Sequence, residues 1–141
     1  MKREVAVVDL SSVFPGSAPV LAAWVFGSVA RGEAREDSDL DVAVALRDPS
    51  AGVVSHRRAL LDLTARLEAA SGRRVDLAIV SARDPILAHR VFSEGVCVYD
   101  ANPAARHALE ADLIARYLDW APSYEAAVDE SLRANRVWAH Q

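Results

Sequence analysis

Cysteine is nearly absent from this sequence: Cys97 stands alone. An intrachain disulfide framework is thereby excluded. The residue lies in the apolar run Val96-Cys97-Val98-Tyr99, where a small buried side chain is expected rather than a reactive thiol. Long apolar runs are missing too, and no stretch approaches the roughly 20 residues of a membrane-spanning helix. Met1-Lys2-Arg3-Glu4 leads into a short apolar run that soon meets Asp9, too brief for a secretory signal. A cytoplasmic location is the expectation. Basic charge is not in surplus: 16 Lys and Arg face 20 Asp and Glu, a net charge of -4. A protein that grips long nucleic acid by its backbone presents a net basic face, so nucleic acid is not the expected partner. His56, His89, His107 and His140 are scattered, and none has zinc-site spacing with cysteine or another histidine. Repeats and low-complexity linkers are lacking as well.

What is present suits one globular domain over 1–141: 141 residues, 52% of them apolar. Residues 4–14 fit a strand through Val5 and Val7 or a helix through Val7, Leu10 and Phe14, and Pro15-Gly16 ends either. Strands are predicted over Leu21 to Phe26, Leu40 to Leu46, Arg74 to Val80 and Val96 to Tyr99. A turn and short helix are expected at 28–35. Asp48-Pro49 suits a helix start, and Leu60, Leu63, Leu67 and Ala70 make an apolar stripe that Ser71-Gly72 stops. A further helix is expected over 84–94. From 103 to 141 the chain reads as a C-terminal helical segment. Ala105, Leu109, Leu113, Tyr117 and Trp120 share one face, Pro122 interrupts, and Tyr124, Val128 and Leu132 align beyond it. Helices separating strands imply a layered α/β (α+β) domain. Strand order is left open.

The informative stretch runs from Phe26 to Asp41. Asp39 and Asp41 stand two apart at the mouth of a strand, so period-two geometry puts both carboxylates on one face and turns Leu40 and Val42 to the core. Two carboxylates this close resist joint ionisation, and a divalent cation resolves the conflict. Mg²⁺ takes hard oxygen ligands and accepts others from substrate phosphates. Gly27-Ser28 leaves a strand just before a helix start, where a tight turn, free N–H groups and a hydroxyl suit a phosphate. Arg31 or Arg35 is available to neutralise phosphate charge, and Ser38 joins the candidate nucleotide contacts. Asp76, opposite Val75 and Leu77 on a later strand, is the third carboxylate. Three such groups suit two-metal phosphoryl chemistry, in which Asp76 also has the option of taking a proton from an attacking hydroxyl. Each feature alone also fits a plainer reading: a strand-start surface pair, a turn, a solvated-face aspartate. Together they point to a site.

The stretch resembles the minimal nucleotidyltransferase family of the DNA polymerase beta superfamily. The resemblance is carried by Gly27-Ser28-Val29-Ala30-Arg31-Gly32, by Ser38-Asp39-Leu40-Asp41 at the family's spacing, and by Asp76. It covers residues 20–100 loosely, and Tyr117-Leu118-Asp119 also resembles compact members. The resemblance implies a mixed, twisted sheet of four or five strands with helices packed against it. It implies that Gly27 and Ser28 hold the triphosphate of ATP and that Asp39, Asp41 and Asp76 bind Mg²⁺. Compact members serve as antitoxins to a helical HEPN ribonuclease, so it further implies transfer of AMP to a tyrosine of such a toxin. Two rival readings stay open: a non-catalytic antitoxin that works by covering its partner, and a transferase for a small molecule or an RNA end. Arg57-Arg58 and Arg73-Arg74 read as solvated basic pairs, Trp24 and Tyr99 as core or near-core residues, and the stretch from Ser123 to Gln141 as packing or partner docking.

Overall fold

The computed structural model describes residues 10–51 and 54–139, with side chains described for 10–50 and 54–121. Strands β1 (Val20–Phe26), β2 (Leu40–Leu46), β3 (Val75–Ile79) and β4 (Val96–Asp100) form one sheet in the order β3-β2-β1-β4. β1 runs antiparallel to β2 and to β4, whereas β2 and β3 are parallel. A parallel pair needs a crossover, and helix α2 (Arg57–Ser71) supplies it. Short helix α1 (Gly27–Arg31) links β1 towards β2, α3 (Pro85–Glu94) links β3 to β4, and α4 (Pro103–Ala139) follows β4. The sheet is therefore mixed and four-stranded, as the resemblance implied.

Helices cover both faces. On one, Val20, Val25, Val42 and Val44 pack with Leu60, Leu63 and Leu67 of α2 and with Phe14. On the other, Ala22, Trp24, Phe26, Ala43 and Ala45 pack with Ala88 and Val91 of α3 and Leu113 of α4. Burial on both faces explains why β1 reads as an unbroken apolar run instead of alternating. On the second face Ala22, Ala43 and Ala45 stand with Ala88 of α3, which is fully buried. Trp24 meets Phe92 edge-on at 5.3 Å, and Tyr99 stacks on Phe14 at 4.7 Å, which places both aromatics as the sequence suggested. Tyr117 stacks on His89 of α3 at 3.9 Å, so the stripe along α4 packs within the chain. Arg106 fastens the end of β4 to α4, reaching Asp100 and Glu110 at 2.6 Å each.

Four expectations need correction. The helix after Asp48 starts at Arg57, because the Asp48 carboxylate accepts from the Ser50 amide at 3.1 Å and closes only a local turn at Pro49–Ala51. Pro122 does not interrupt: the backbone is helical from Pro103 to Ala139, since a proline removes one amide donor without requiring that a long helix stop. Cys97 is exposed, because alternation on edge strand β4 buries Val98 and turns Cys97 outward. Its thiol donates to the Tyr99 carbonyl at 3.4 Å, and partial burial of the sulfur raises its pKa above the ordinary thiol value. Arg73 is no solvated cation; its guanidinium caps the carbonyls of Arg35 and Ser38 at 2.7 and 2.9 Å. In the ambiguous first segment Leu10–Val13 is a 3-10 turn, and residues 4–9 lie outside the described residues. So does His140, as do the side chains of Tyr124, Val128, Leu132 and Trp138.

The tight fit of α3 has a measurable consequence. Ala88 is fully buried against the small residues of β1 and β2. Ala88→Leu should lower unfolding free energy by about 1–3 kcal/mol through overpacking, read as a lower midpoint in urea unfolding.

Candidate functional site

β1 and β2 converge on the site from opposite directions. β1 ends at Phe26, directly across from Asp41. On the other side of β2, Asp41 stands opposite Asp76 in the parallel register, with neighbouring strands spaced by about 4.8 Å. Period two puts Asp41, Ala43 and Ala45 on the face covered by α3, while Leu40 and Val42 enter the opposite core. Asp41 is half-buried; Asp76 and Asp39 are exposed, Asp39 just ahead of the strand. The structure thus brings Asp41 and Asp76 together as strand partners and leaves Asp39 at the rim.

The charges of these groups interact. Burial raises the Asp41 pKa above the ordinary carboxylate value, and repulsion from Asp76 and Asp39 adds to the rise. Arg90 and Arg31 pull in the other direction without cancelling it. Among the described residues, no three His, Cys, Asp or Glu side chains already form a metal-binding group. The donor set nonetheless suits a hard divalent cation: carboxylate oxygens under mutual repulsion, open to the outside at Asp39 and Asp76. Ligands from a substrate would complete such a shell.

Gly27 ties the turn to the carboxylates. Its φ is +73°, a conformation that side chains rarely adopt, and a Cβ there would collide with Asp41 Oδ2. No other residue lets the turn and Asp41 approach this closely. Ser28 is half-buried, and its carbonyl accepts from Glu33 N at 2.9 Å, closing α1. Ser38 lies in the loop before β2, where its hydroxyl accepts from Arg35 N at 2.8 Å and Arg73 holds its carbonyl. That contact fastens the loop. Arg31 extends from α1 to Glu33 at 3.1 Å and to Glu94 at 3.2 Å.

Two residues at this site escaped the sequence reading. Glu94, at the end of α3, accepts from the Gly27 amide at 3.2 Å and pairs with Arg31 and with Arg90, the latter at 3.0 Å. Arg90 also lies over the Phe26 ring, 5.3 Å from its centroid. In sequence, Arg90 and Glu94 are an i,i+4 ion pair of the kind found on any exposed helix face. Only the packing of α3 on β1 brings them to the turn.

Comparison with known proteins bears on this geometry. A family model described as polymerase beta, nucleotidyltransferase, matches residues 8–104. A protein adenylyltransferase MntA from Thermococcus cleftensis is 39% identical over 74 residues, which span 52% of this chain and 70% of the relative. A chain from a toxin–antitoxin crystal structure with AMP-PNP superposes with a TM-score of 0.64 at 19% identity, over 93% of this chain and 97% of its own. A chain from the complex of tri-AMPylated Shewanella oneidensis HEPN toxin with MNT antitoxin gives 0.67 at 18% identity, over 92% and 98%. At those identities the structural likeness is one of fold.

Two measurements follow from the site. Gly27→Ala should cost about 1–2 kcal/mol from the positive φ alone, and more from the clash with Asp41, read by urea unfolding. For Asp41, the folded-state pKa is raised, so ionisation opposes folding. The penalty is absent below the unfolded-state pKa of about 4 and is fully present once pH has passed the folded value. Without metal, Asp41→Asn should therefore melt above wild type at neutral pH, and the gap should close as pH falls below about 4.

Proposed function

The chain belongs to the polymerase beta nucleotidyltransferase family, and from that premise we propose that it transfers AMP from ATP to a tyrosine of a HEPN-type ribonuclease, acting in the cytoplasm as that toxin's antitoxin. The observation that carries the proposal is the pairing of Asp41 with Asp76 across β2 and β3, beside a turn where Gly27 admits no side chain. The similarity to an MntA adenylyltransferase supports AMP as the transferred group. The likeness in fold to chains of toxin–antitoxin complexes, one with an AMPylated toxin, supports a protein acceptor.

The residues divide the work. Gly27, Ser28 and Arg31 hold the β and γ phosphates, and the backbone at Gly27 sets their distance from Asp41. Ser38 contributes through the loop that it closes ahead of Asp39. Asp39, Asp41 and Asp76 would hold Mg²⁺, which when bound offsets triphosphate charge and acidifies an acceptor hydroxyl. The tyrosine oxygen forms a bond to the α-phosphorus, the bond from that phosphorus to the α–β bridging oxygen breaks, and pyrophosphate leaves with the electron pair. Asp76, exposed on an edge strand, is the carboxylate best placed to receive the phenolic proton.

The test is labelling. With α-labelled ATP, Mg²⁺ and a HEPN-type partner, label should appear on a partner tyrosine. Asp39→Ala with Asp41→Ala should lower the labelling rate by about 100-fold or more. A wild-type protein that binds the partner and leaves it unlabelled would refute the proposal. A folded double variant that still neutralises toxicity fully would show that covering the partner suffices.

A further inference from the structure

Glu94 has no place in the chemistry above, yet it takes three donors that a nucleotide would use. Its carboxylate accepts from the Gly27 amide at 3.2 Å, from Arg31 Nη1 at 3.2 and 3.4 Å, and from Arg90 Nε at 3.0 Å. A backbone N–H and two guanidinium groups converging on a pair of anionic oxygens is the donor set that recognises phosphate. The position is also informative. Gly27 abuts the Asp41 carboxylate, so an anion on its amide lies next to the proposed metal ligands. Burial alone would raise the Glu94 pKa, but hydrogen bonds from Arg90 and Gly27 and the charge of Arg31 outweigh it, and the carboxylate stays ionised. The neighbours of Glu94 are not free to follow it. Gly95 comes next, where a Cβ would collide with the Val91 carbonyl and crowd that of Val25, and β4 begins at Val96.

We propose that Glu94 is an internal stand-in for a nucleotide phosphate: it holds the Gly27 amide, Arg31 and Arg90 aligned and yields them to the triphosphate. Arg90 thereby becomes a further phosphate-binding residue, supplied by α3 instead of the turn. The inference rests on the reading of Gly27-Ser28 as the triphosphate turn. A triphosphate carries several negative charges against the one of Glu94, so the exchange favours the nucleotide. Glu94 nonetheless competes with it, and each encounter must displace an ion pair. Ligands without β and γ phosphates do not need that displacement.

The experiment measures affinity for ATP, for inorganic tripolyphosphate and for adenosine in excess Mg²⁺, with the full chain. Glu94→Gln removes the competing charge and keeps the shape. It should tighten ATP and tripolyphosphate by roughly 3–10-fold and leave adenosine unchanged. Arg90→Gln should weaken ATP and tripolyphosphate by at least about 5-fold, again without effect on adenosine. Glu94→Ala should reproduce Glu94→Gln, which guards against poor folding of either variant. Wild-type binding of ATP with unchanged or weaker binding by both Glu94 variants would overturn the stand-in role and leave the nucleotide site intact. Failure of the folded wild-type protein to bind either ATP or tripolyphosphate would instead overturn the reading of the turn itself, and the inference with it.

Discussion

The close approach of the Gly27 backbone to the Asp41 carboxylate is the constraint on which the site depends. β1 must end opposite Asp41, the chain must turn through a positive φ, and no side chain can stand between them. Antiparallel pairing of β1 with β2 meets the first condition, because it returns the motif's second half to the end of its first. The Gly27-Ser28 turn and Asp41 thus meet at one end of a rigid antiparallel pair whose apolar residues are buried on both faces. Rigid elements hold a constellation better than loops do, and of the three carboxylates only Asp39 lies outside a strand.

Charge is the second theme. Asp41 is half-buried beside two other carboxylates, an arrangement that works against the folded state. Arg31 and Arg90 face the same cluster and relieve it in part. Such local frustration is common where a protein must bind something that arrives later: the strain is carried by the well-packed remainder of the fold. The face under α2 is an apolar core, chiefly valine and leucine with Phe14. Both layers hold a buried core, and the acidic cluster stands at the rim of the one covered by α3.

Much of this was legible in the sequence, for physical reasons. Alternation in Leu40–Leu46 set which way Asp41 points, and the apolar run from Leu21 to Phe26 marked a strand, which the structure buries on both faces. The α3 start was readable because Asp84 accepts from Leu87 N at 3.0 Å, ahead of Pro85. What escaped was non-local or ambiguous by nature. Asp48 has the same residue pattern whether it caps a helix or an isolated turn. Cys97 sits in an apolar run, and only its place on an edge strand exposes it. Arg73 resembles any surface arginine until its carbonyl partners are in place. Glu94 stands 67 and 63 residues from the Gly27 and Arg31 that it contacts, and Arg90 reaches the Phe26 ring across a similar span. No local pattern encodes a contact of that range.

The single residue between α3 and β4 has a kinetic consequence. Glu94 is followed by Gly95 and then by a strand held in the sheet, so its backbone has no slack. A site covered by a loop opens at the pace of backbone rearrangement, in microseconds to milliseconds. Here the covering group is one half-buried side chain held by Arg31, Arg90 and the Gly27 amide, and once those contacts exchange it clears by rotating about its own bonds, with no backbone rearrangement. In the proposed role of Glu94, the turn is guarded by a side-chain gate, one that filters ligands by charge and moves no backbone.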